Sequence, residues 1–583
     1  MEESAPNRDV ASVAVVAGAA IALAGWLGAE LAAVCFGRGP FHSAASDVIA
    51  SLIRLPSHLA HPAQAWPVVT ARALPGPVPY WACTVIATAM TALIGIAVVR
   101  AVTPDGPGVP RRDRLGVDTR SRLARRRDLA PLLVRAPVPG RFVVGRVGRH
   151  LVATEDASSR SSRHAHSGDR SAVAVIGPTR CGKTANTISG ILEWSGPAIL
   201  SSVKTDLLGA TIAHRKHLGT VKVFDPTSAT GFASSSWSPL RAANTVTGAQ
   251  KAARALADAA PQGGAENLNF FLALARQLLW PILYAAAVGD RTMSDVVRWV
   301  LTQDRPADDR KRGEVFAILD EELAGPDTAR RTGAAHALTA INAIWQLDER
   351  TRGSTYATCQ TTVEPWQDPD VAAAASGCDI NLAWLLGGNH TLYICAPTHE
   401  QQRLATVFGG LLGDLVQQAY DQANLTGKPL PPTLLVLDEA GNTPTRWLPS
   451  VASTCSGIGL QLVTVWQSKA QIDSAYGRLA DSVITNHGTK IIFAGVSDPS
   501  TLDFAAHLLG EEEVVHRAIS TEITGGRMRV DESARAVPLV PIDALRRMRP
   551  GNALLLHGTL RPAHLHSRPY WRDPRLLELT RRS

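Results

Sequence analysis

The chain has 583 residues, of which 45% are hydrophobic and 19% are charged, and its formal net charge at pH 7 is +8. This length accommodates two or three domains with their own cores, and the composition excludes both a disordered chain and one saturated with charge. The seven cysteines include no CxxC pair, which argues against a zinc site or a disulfide framework and indicates that the bulk of the chain is reduced and cytosolic.

Two apolar runs lie near the N-terminus. Residues 10–29 and residues 80–99 are each twenty residues long and uncharged. Each run reaches the roughly 20 residues that a helix needs to cross a hydrocarbon core of about 30 Å. A signal peptide is the alternative for the first run, but the segment before it is not basic and the second run would still span. We predict a membrane anchor over residues 1–103, with helices at about 10–36 and 80–99 and an external loop at 38–79.

Arginines indicate the orientation of this anchor. Residues 104–150 contain twelve arginines and four aspartates, so this stretch carries a net charge of +8, as large as that of the whole chain. Because positive charge stays on the cytoplasmic side, we predict a multi-pass protein of the bacterial inner membrane with both termini and its bulk in the cytoplasm. The cluster is typical of a topology signal that also attracts anionic lipids, and a nucleic-acid patch is the alternative. Residues 104–140 are predicted to form a basic juxtamembrane linker.

A phosphate-binding motif follows the linker. Residues 171–176 form an apolar, β-branched run typical of a buried strand, and residues 185–194 have helical composition. Between them the chain matches GxxxxGK[ST], in the strand–loop–helix context that this motif requires. Glycines let backbone N–H groups surround phosphate oxygens at a helix N-terminus, Lys183 reaches the β- and γ-phosphates, and the Thr184 hydroxyl ligates Mg²⁺. The predicted ATP-binding residues are Gly177, Pro178, Thr179, Arg180, Cys181, Gly182, Lys183 and Thr184.

An acidic pair supplies the second half of such a site. Asp438 and Glu439 follow the apolar run at residues 433–437. An Asp at the tip of a core strand can hold Mg²⁺, and the adjacent Glu can orient or deprotonate the attacking water. This motif is weak alone and becomes specific beside the loop at 177–184.

The two motifs lie 255 residues apart, which is too far for one core and predicts an insertion. Residues 249–376 are rich in Ala, Leu and Gln with helical periodicity. We therefore predict an α/β fold: a RecA-like P-loop nucleotide-binding domain with an inserted all-α domain and two N-terminal transmembrane helices. The nucleotide-binding domain comprises residues 141–248 and residues 377–583, the second part ending in a basic tail.

A series of short motifs carries a family resemblance. With the P-loop, they resemble the type IV secretion system coupling proteins of the TraG/TraD family, which are conjugative P-loop ATPases of the inner membrane. The resemblance extends from residue 141 to about residue 572. The motifs are FVVGRVG at 142–148, SVKTDL at 202–207, DP at 225–226, WSPL at 237–240, DEAGN at 438–442, VTVWQS at 463–468, AYG at 475–477 and Asn486.

The resemblance implies roles for single residues. Gln467, at the end of the strand VTVWQS, is the expected sensor of the γ-phosphate, so the predicted catalytic residues are Lys183, Glu439 and Gln467. Ser202 stands where an Asp is usual in the family. An arginine finger is usual in the stretch that corresponds to residues 453–459, which contain no Arg here. Arg446 is the nearest alternative, and without a finger we expect slow hydrolysis.

The resemblance also implies function and partners. We expect a homo-hexameric motor that couples a DNA–relaxase complex to inner-membrane secretion channel components and drives its transfer by ATP hydrolysis. The alternatives are a coupling receptor ATPase for protein effectors and an FtsK-like DNA translocase. An FtsK-like pump would carry more membrane segments and a C-terminal winged domain. The nine arginines of residues 546–583 either bind nucleic acid or are ordinary surface charge.

Overall fold

The computed structural model forms two compact units, residues 1–119 with 513–536, and residues 120–512 with 537–583. Each unit is assembled from segments that are distant in sequence. The residues that the structure describes are 7–37, 41, 43–102, 113–118, 121–155, 171–202, 204–260, 268–304, 313–442, 445–521 and 528–581.

The first unit contains long apolar helices where the sequence predicts membrane spans. Residues 1–6 and 103–112 lie outside the described part of the chain. Within it, Pro77–Gly95 is long and apolar enough to cross a membrane, and Ala20–Phe36 is a shorter apolar stretch. The elements of this unit are α1 Asn7–Phe36, α2 Ala45–Arg54, α3 Val68–Ala71, α4 Pro77–Val102, β1 Asp113–Arg114 and β2 Val117–Asp118.

The predicted external loop contains regular structure. Helices α2 and α3 and two 3₁₀ turns pack against the adjoining ends of α1 and α4. The Trp66 indole N–H donates to the Tyr80 hydroxyl at 3.0 Å, and the Phe41 ring meets the Trp66 ring edge-on at 4.9 Å. Residues 38–40 and 42 of this loop lie outside the described part. The remainder of residues 38–79 is a small helical layer whose apolar core is shared with α1 and α4.

The first unit also includes a hairpin from near the C-terminus. Strand β13 (Glu511–Thr521) pairs with β14 (Met528–Pro538) in a two-stranded sheet. The sequence-based boundaries assign these residues to the second part of the nucleotide-binding domain. The structure instead groups residues 513–536 with residues 1–119.

The second unit is built on one large mixed sheet. In its described residues, twelve strands lie in the order β3-β5-β4-β16-β15-β12-β6-β11-β10-β7-β9-β8. The strands from β12 to β8 in this order are parallel, and those on the other side of β12 are antiparallel. The strands are β3 Leu133–Val134, β4 Val143–Val147, β5 His150–Ala153, β6 Val173–Ile176, β7 Ala198–Ser202, β8 Val221–Phe224, β9 Thr391–Cys395, β10 Thr433–Leu437, β11 Leu460–Trp466, β12 Thr489–Phe493, β15 Asn552–His557 and β16 Ala563–His566.

This sheet extends into the predicted juxtamembrane linker. Strand β3, which lies within residues 104–140, pairs with β5 at the sheet edge. Just before β3, the Arg122 guanidinium donates to Asp128 at 2.6 Å. The sheet therefore begins earlier than the predicted boundary at residue 141.

Helices cover both faces of the sheet. Because successive strand residues point to opposite faces, Val173 and Val175 of β6 contribute to one apolar core and Ala174 and Ile176 to the other. The helices are α5 Lys183–Leu192, α6 Thr205–Leu218, α7 Val246–Ala259, α8 Leu268–Val288, α9 Met293–Thr302, α10 Glu314–Ala324, α11 Thr328–Trp345, α12 Glu349–Val363, α13 Pro369–Ala374, α14 Leu382–Leu386, α15 Thr398–Gln401, α16 Ala405–Thr426, α17 Leu448–Thr454, α18 Lys469–Tyr476, α19 Ala480–Asn486, α20 Pro499–Leu509, α21 Ile542–Arg546 and α22 Pro574–Arg581.

The helical segment between β8 and β9 is continuous with the sheet. The regular elements that the structure describes between these strands are all helices, as the composition of residues 249–376 predicts. However, the side chains of these helices share one apolar core with a face of the sheet, so a separate all-α domain is not confirmed. The apolar stretch Asn269–Val288 passes the same length and composition test as a membrane span, but most of it is buried within this core.

Candidate functional site

The loop between β6 and α5 has the strand–loop–helix geometry that its sequence predicts. Gly182 at the start of α5 has a φ of +98°, a left-handed conformation that favours glycine. At Gly177, a Cβ would lie 2.8 Å from both the Cys181 sulfur and the Phe493 Cβ. The two motif glycines are therefore required by backbone conformation and by close packing, respectively.

Lys183 reaches back into this loop. Its ammonium donates to the carbonyl oxygens of Gly177 at 2.5 Å and Pro178 at 2.7 Å, and the residue is only 8% exposed. Burial lowers the pKa of Lys183, while the nearby Cys181, Glu439 and Asp438 act in the opposite direction. The cation is thus held by the loop itself, where an anionic ligand would replace the two carbonyls as its partner.

Asp438 lies at the end of β10, opposite the start of α5. The Thr184 hydroxyl donates to its Oδ1 at 3.5 Å, so the two predicted magnesium ligands are adjacent. Asp438 is 5% exposed, and burial, with a smaller contribution from the charge of Glu439, raises its pKa to about 6. A carboxylate that is so poorly solvated has a strong preference for a nearby cation.

Ser202 is a member of the site whose role the sequence did not reveal. Its hydroxyl donates to Asp438 Oδ2 at 3.2 Å and also accepts from the Lys204 backbone N–H at 3.3 Å. The only signal in the sequence was that Ser202 stands where the resembling family has an Asp. In this position a serine supports the ionised form of Asp438 through a hydrogen bond, whereas a second carboxylate would oppose it.

Glu439 and Gln467 form the third part of the site. The Gln467 side-chain amide donates to Glu439 Oε2 at 2.9 Å. Glu439 has a φ of +58°, which is uncommon for a residue other than glycine and often marks a functional position. On the following helix, the Gln471 side chain accepts from the Gln467 backbone N–H at 3.0 Å. The structure therefore brings together the two polar residues that were predicted from different strands.

The donor set fits a nucleotide with Mg²⁺. A hydroxyl and a carboxylate are hard oxygen ligands, and Mg²⁺ commonly takes only one or two protein ligands alongside substrate phosphates. In the described residues, no group of three or more His, Cys, Asp or Glu side chains could hold a metal ion by itself. The site is thus suited to a metal that arrives with phosphate oxygens.

Arg446, the alternative finger, is engaged within its own chain. Its guanidinium donates to Asn269 Oδ1 at 2.9 Å. It lines a cavity of about 690 Å³ between α7, α16 and α17, together with Trp237 and Trp447. Its assignment as a finger stays a prediction.

Comparison with known proteins decides the family. Residues 146–581 match the family described as type IV secretory system, conjugative DNA transfer. The chain belongs to this family. Its membership confirms the resemblance to type IV secretion coupling proteins and the role in conjugative DNA transfer, and it does not favour the effector-receptor or FtsK-like alternatives.

Solved structures of a plasmid coupling protein share the fold. The plasmid coupling protein TrwB in complex with the non-hydrolysable GTP analogue GDPNP is 15% identical, with a TM-score of 0.53 over 79% of this chain and 96% of that chain. TrwB with the ATP analogue ADPNP is 16% identical, with a TM-score of 0.50 and the same coverage. TrwBdeltaN70 in complex with sulphate is 15% identical, with a TM-score of 0.50 over 68% of this chain and 85% of that chain. No protein of curated function matches the chain. At these identities the likeness shows the RecA-like α/β fold.

Proposed function

We propose that this conjugative DNA transfer protein is an ATPase that couples a DNA–relaxase complex to the secretion channel and drives its transfer by ATP hydrolysis. The observation that carries the proposal is the adjacency of Thr184 and Asp438 next to the Glu439–Gln467 pair. Binding of the analogues GDPNP and ADPNP by TrwB supports a nucleotide as the ligand.

Binding of the triphosphate would begin at the P-loop. The backbone N–H groups of residues 177–184 and the N-terminus of α5 favour phosphate oxygens. Lys183 would exchange its two loop carbonyls for the β- and γ-phosphate oxygens, and its charge would neutralise them.

Thr184 and Asp438 would hold the magnesium ion. When bound, the ion supplies charge stabilisation for the transferring phosphoryl group. Asp438 must be ionised for this role, and its raised pKa means that it is half ionised at about pH 6 and almost fully ionised only at a clearly higher pH. Ser202 keeps one carboxylate oxygen oriented, which leaves the other directed at Thr184.

Glu439 and Gln467 would act on the attacking water. Glu439 is positioned to orient the water and accept its proton. The Gln467 amide donates to this carboxylate, and the same amide group is suited to respond to the γ-phosphate. If the Gln467 amide left the Glu439 carboxylate for the γ-phosphate, its movement would link the state of the nucleotide to α18, whose N-cap residue follows Gln467 directly.

The wider assembly forms part of the proposal. Membrane association follows from the family, and we propose that α1 and α4 span the inner membrane with the second unit in the cytoplasm. The chain would act as a homo-hexamer at the secretion channel. The charge of the arginine-rich segment 104–150 supports this orientation.

The test is the ATPase rate of the detergent-solubilised full chain with and without single-stranded DNA. Lys183→Ala is expected to abolish hydrolysis while membrane insertion persists. Lys428→Ala, which changes an exposed lysine, is the matched control and is expected to retain the parental rate. Activity that survives in Lys183→Ala would disprove the site. If DNA neither stimulates hydrolysis nor binds in a salt-sensitive way, the result would instead favour a protein substrate.

A further inference from the structure

Helix α5 has a buried polar face away from the phosphate-binding loop. Asn186, Ser189 and Glu193, the C-cap residue of α5, follow one another at intervals of three and four residues and therefore share one side of the helix. Asn186 and Ser189 are buried, and the Glu193 side chain is 0% exposed. Buried polar groups require hydrogen-bond partners, so this face is built to receive another segment.

That segment is residues 567–581, which we term the C-terminal strap. The Arg568 backbone N–H donates to Asn186 Oδ1 at 2.9 Å, and the Ser189 hydroxyl donates to the Arg568 carbonyl oxygen. The Arg568 guanidinium donates to both carboxylate oxygens of Glu193, at 2.7 and 3.1 Å. Asp573 of the strap accepts a further bond from the same guanidinium at 2.7 Å. One residue of the strap, Arg568, thereby bonds all three polar side chains of this face.

The pairing of Arg568 with Glu193 fixes orientation as well as distance. Arg568 is only 9% exposed at its side chain, so the pair is shielded from water. A two-pronged guanidinium–carboxylate contact constrains the relative angle of the two side chains, which a single point charge would not do.

The other end of the strap packs against both helices beside the site. Leu576 and Leu579 of α22 lie in the same apolar core as Ile191 of α5 and Leu207 and Leu208 of α6. Helix α5 starts with Lys183, and α6 starts shortly after Ser202. The strap therefore contacts the two helices whose N-termini adjoin the nucleotide site.

Strand β4 holds α5 as well. The Asn186 amide donates to the Val144 carbonyl oxygen at 2.9 Å, while its oxygen accepts from Arg568. The absence of a side chain at Gly190 lets the Phe142 ring approach the helix. Helix α5 thus lies between β4 and the strap, and a change in either contact would displace the end of the helix that carries Lys183 and Thr184.

We propose that Arg568 is a positioning residue for nucleotide binding. Through its bonds to Glu193, Asn186 and Ser189 it fixes the position of α5, and the position of this helix determines where Lys183 and Thr184 lie. This inference rests on the proposed ATPase function. The strap touches no residue of the phosphate-binding loop in the hydrogen bonds described above, so its influence passes through the helix.

The experiment measures KM and kcat for ATP and the Kd of a fluorescent ADP analogue in the full chain. The variants are Arg568→Gln, Glu193→Gln and the double variant, each assayed well below its unfolding midpoint. We expect KM and Kd to rise about five-fold or more in each single variant, because small displacements of binding groups are amplified. The double variant should be no worse than the weaker-binding single variant, because the two side chains act as a unit. Arg547→Gln removes an exposed arginine paired with Asp543 and should change neither constant.

The outcomes separate the two proposals. Parental KM and Kd in folded Arg568→Gln, even with a lower unfolding midpoint, would overturn the positioning role and leave the strap purely structural. If that variant does not fold, Arg568→Lys replaces it; KM should rise here too because an ammonium cannot pair with both oxygens in the same way, and an unchanged KM would overturn the inference. A wild-type chain that neither binds nucleotide nor hydrolyses ATP would disprove the proposed function itself.

Discussion

Replacing Asp438 by Asn should make the nucleotide-free protein more stable while abolishing its activity. Asp438 is buried at the end of β10, and its pKa of about 6 lies well above the ordinary value of 3.8. The ionised form is therefore disfavoured in the folded protein. Asparagine preserves the hydrogen-bonding geometry, because its oxygen can accept from Ser202 and its amide can donate to Thr184.

The magnitude follows from the two pKa values. Well above pH 6 the carboxylate is ionised in both the folded and unfolded states, and the difference in pKa costs the folded state about 3 kcal/mol. As the pH falls from 6 towards 3.8, the folded form becomes protonated first and the cost is relieved. Asp438→Asn should therefore raise the free energy of unfolding by about 3 kcal/mol at pH 7.5 and by about 1 kcal/mol at pH 4.5.

Denaturant unfolding of the full chain in detergent at these two pH values checks the prediction. Addition of Mg²⁺ with a non-hydrolysable ATP analogue should reverse the order, because ligand that binds only the folded wild type stabilises it selectively. The control Asp421→Asn changes an exposed carboxylate paired with Lys251 and should shift stability by less than about 1 kcal/mol at either pH. The predicted cost of burying the carboxylate would be refuted if Asp438→Asn did not raise the free energy of unfolding at pH 7.5, or if the increase were as large at pH 4.5 as at pH 7.5.

Three further predictions concern catalysis, packing and pH. Glu439→Gln should lower kcat by about 10² or more with little change in the Kd of an ATP analogue, and a kcat within ten-fold of the parent would exclude a general base. Gly190→Ala should destabilise the protein by about 1–3 kcal/mol in denaturant unfolding, because the new Cβ overlaps the Phe142 ring, whereas Gly353→Ala, on the open face of α12, should stabilise it slightly. Burial lowers the pKa of His487 to about 4, so its neutral form stabilises the fold above the unfolded pKa of 6.5 and this contribution, about 3 kcal/mol, is lost as the pH falls towards 4. His487→Gln should therefore flatten the acid side of the stability–pH profile, and an unchanged slope would contradict this.

The parts of the site that obey local rules could be predicted from the sequence. The spacing of Gly177, Gly182, Lys183 and Thr184 between a predicted strand and a predicted helix was sufficient to recognise the phosphate-binding loop. Asp438 and Glu439 could be placed at a strand end because the preceding run is apolar throughout. The pairing of Asp438 with Thr184 was expected from the chemistry of the two motifs, and the structure places these side chains side by side. The family resemblance implied a sensor role for Gln467, which stays a prediction, and did not indicate its hydrogen bond to Glu439.

The parts that depend on long-range pairing could not be predicted. Glu193 and Arg568 are 375 residues apart, and in sequence each is one charge among many. From the sequence, the arginines of residues 546–583 could be interpreted only as surface charge or as nucleic-acid-binding residues. In the structure, Arg568 is instead buried and bonded to α5. The placement of strand β3 in the large sheet and of the β13–β14 hairpin in the first unit was not predicted for a related reason. Composition alone does not indicate which sheet or unit a strand joins.

The strand order of the large sheet has a consequence for how the protein is made. Strands β15 and β16, near the end of the chain, lie between β12 and the early strands β4, β5 and β3. The early strands pair with one another, but they join the rest of the sheet only through β15 and β16, after those strands have left the ribosome. The C-terminal strap, which follows β16 in the chain, reaches α5 later still. A nascent chain would thus emerge with a phosphate-binding loop that is complete in sequence but lacks its contacts with the strap, so tight nucleotide binding should appear only after residues 552–581 have been synthesised.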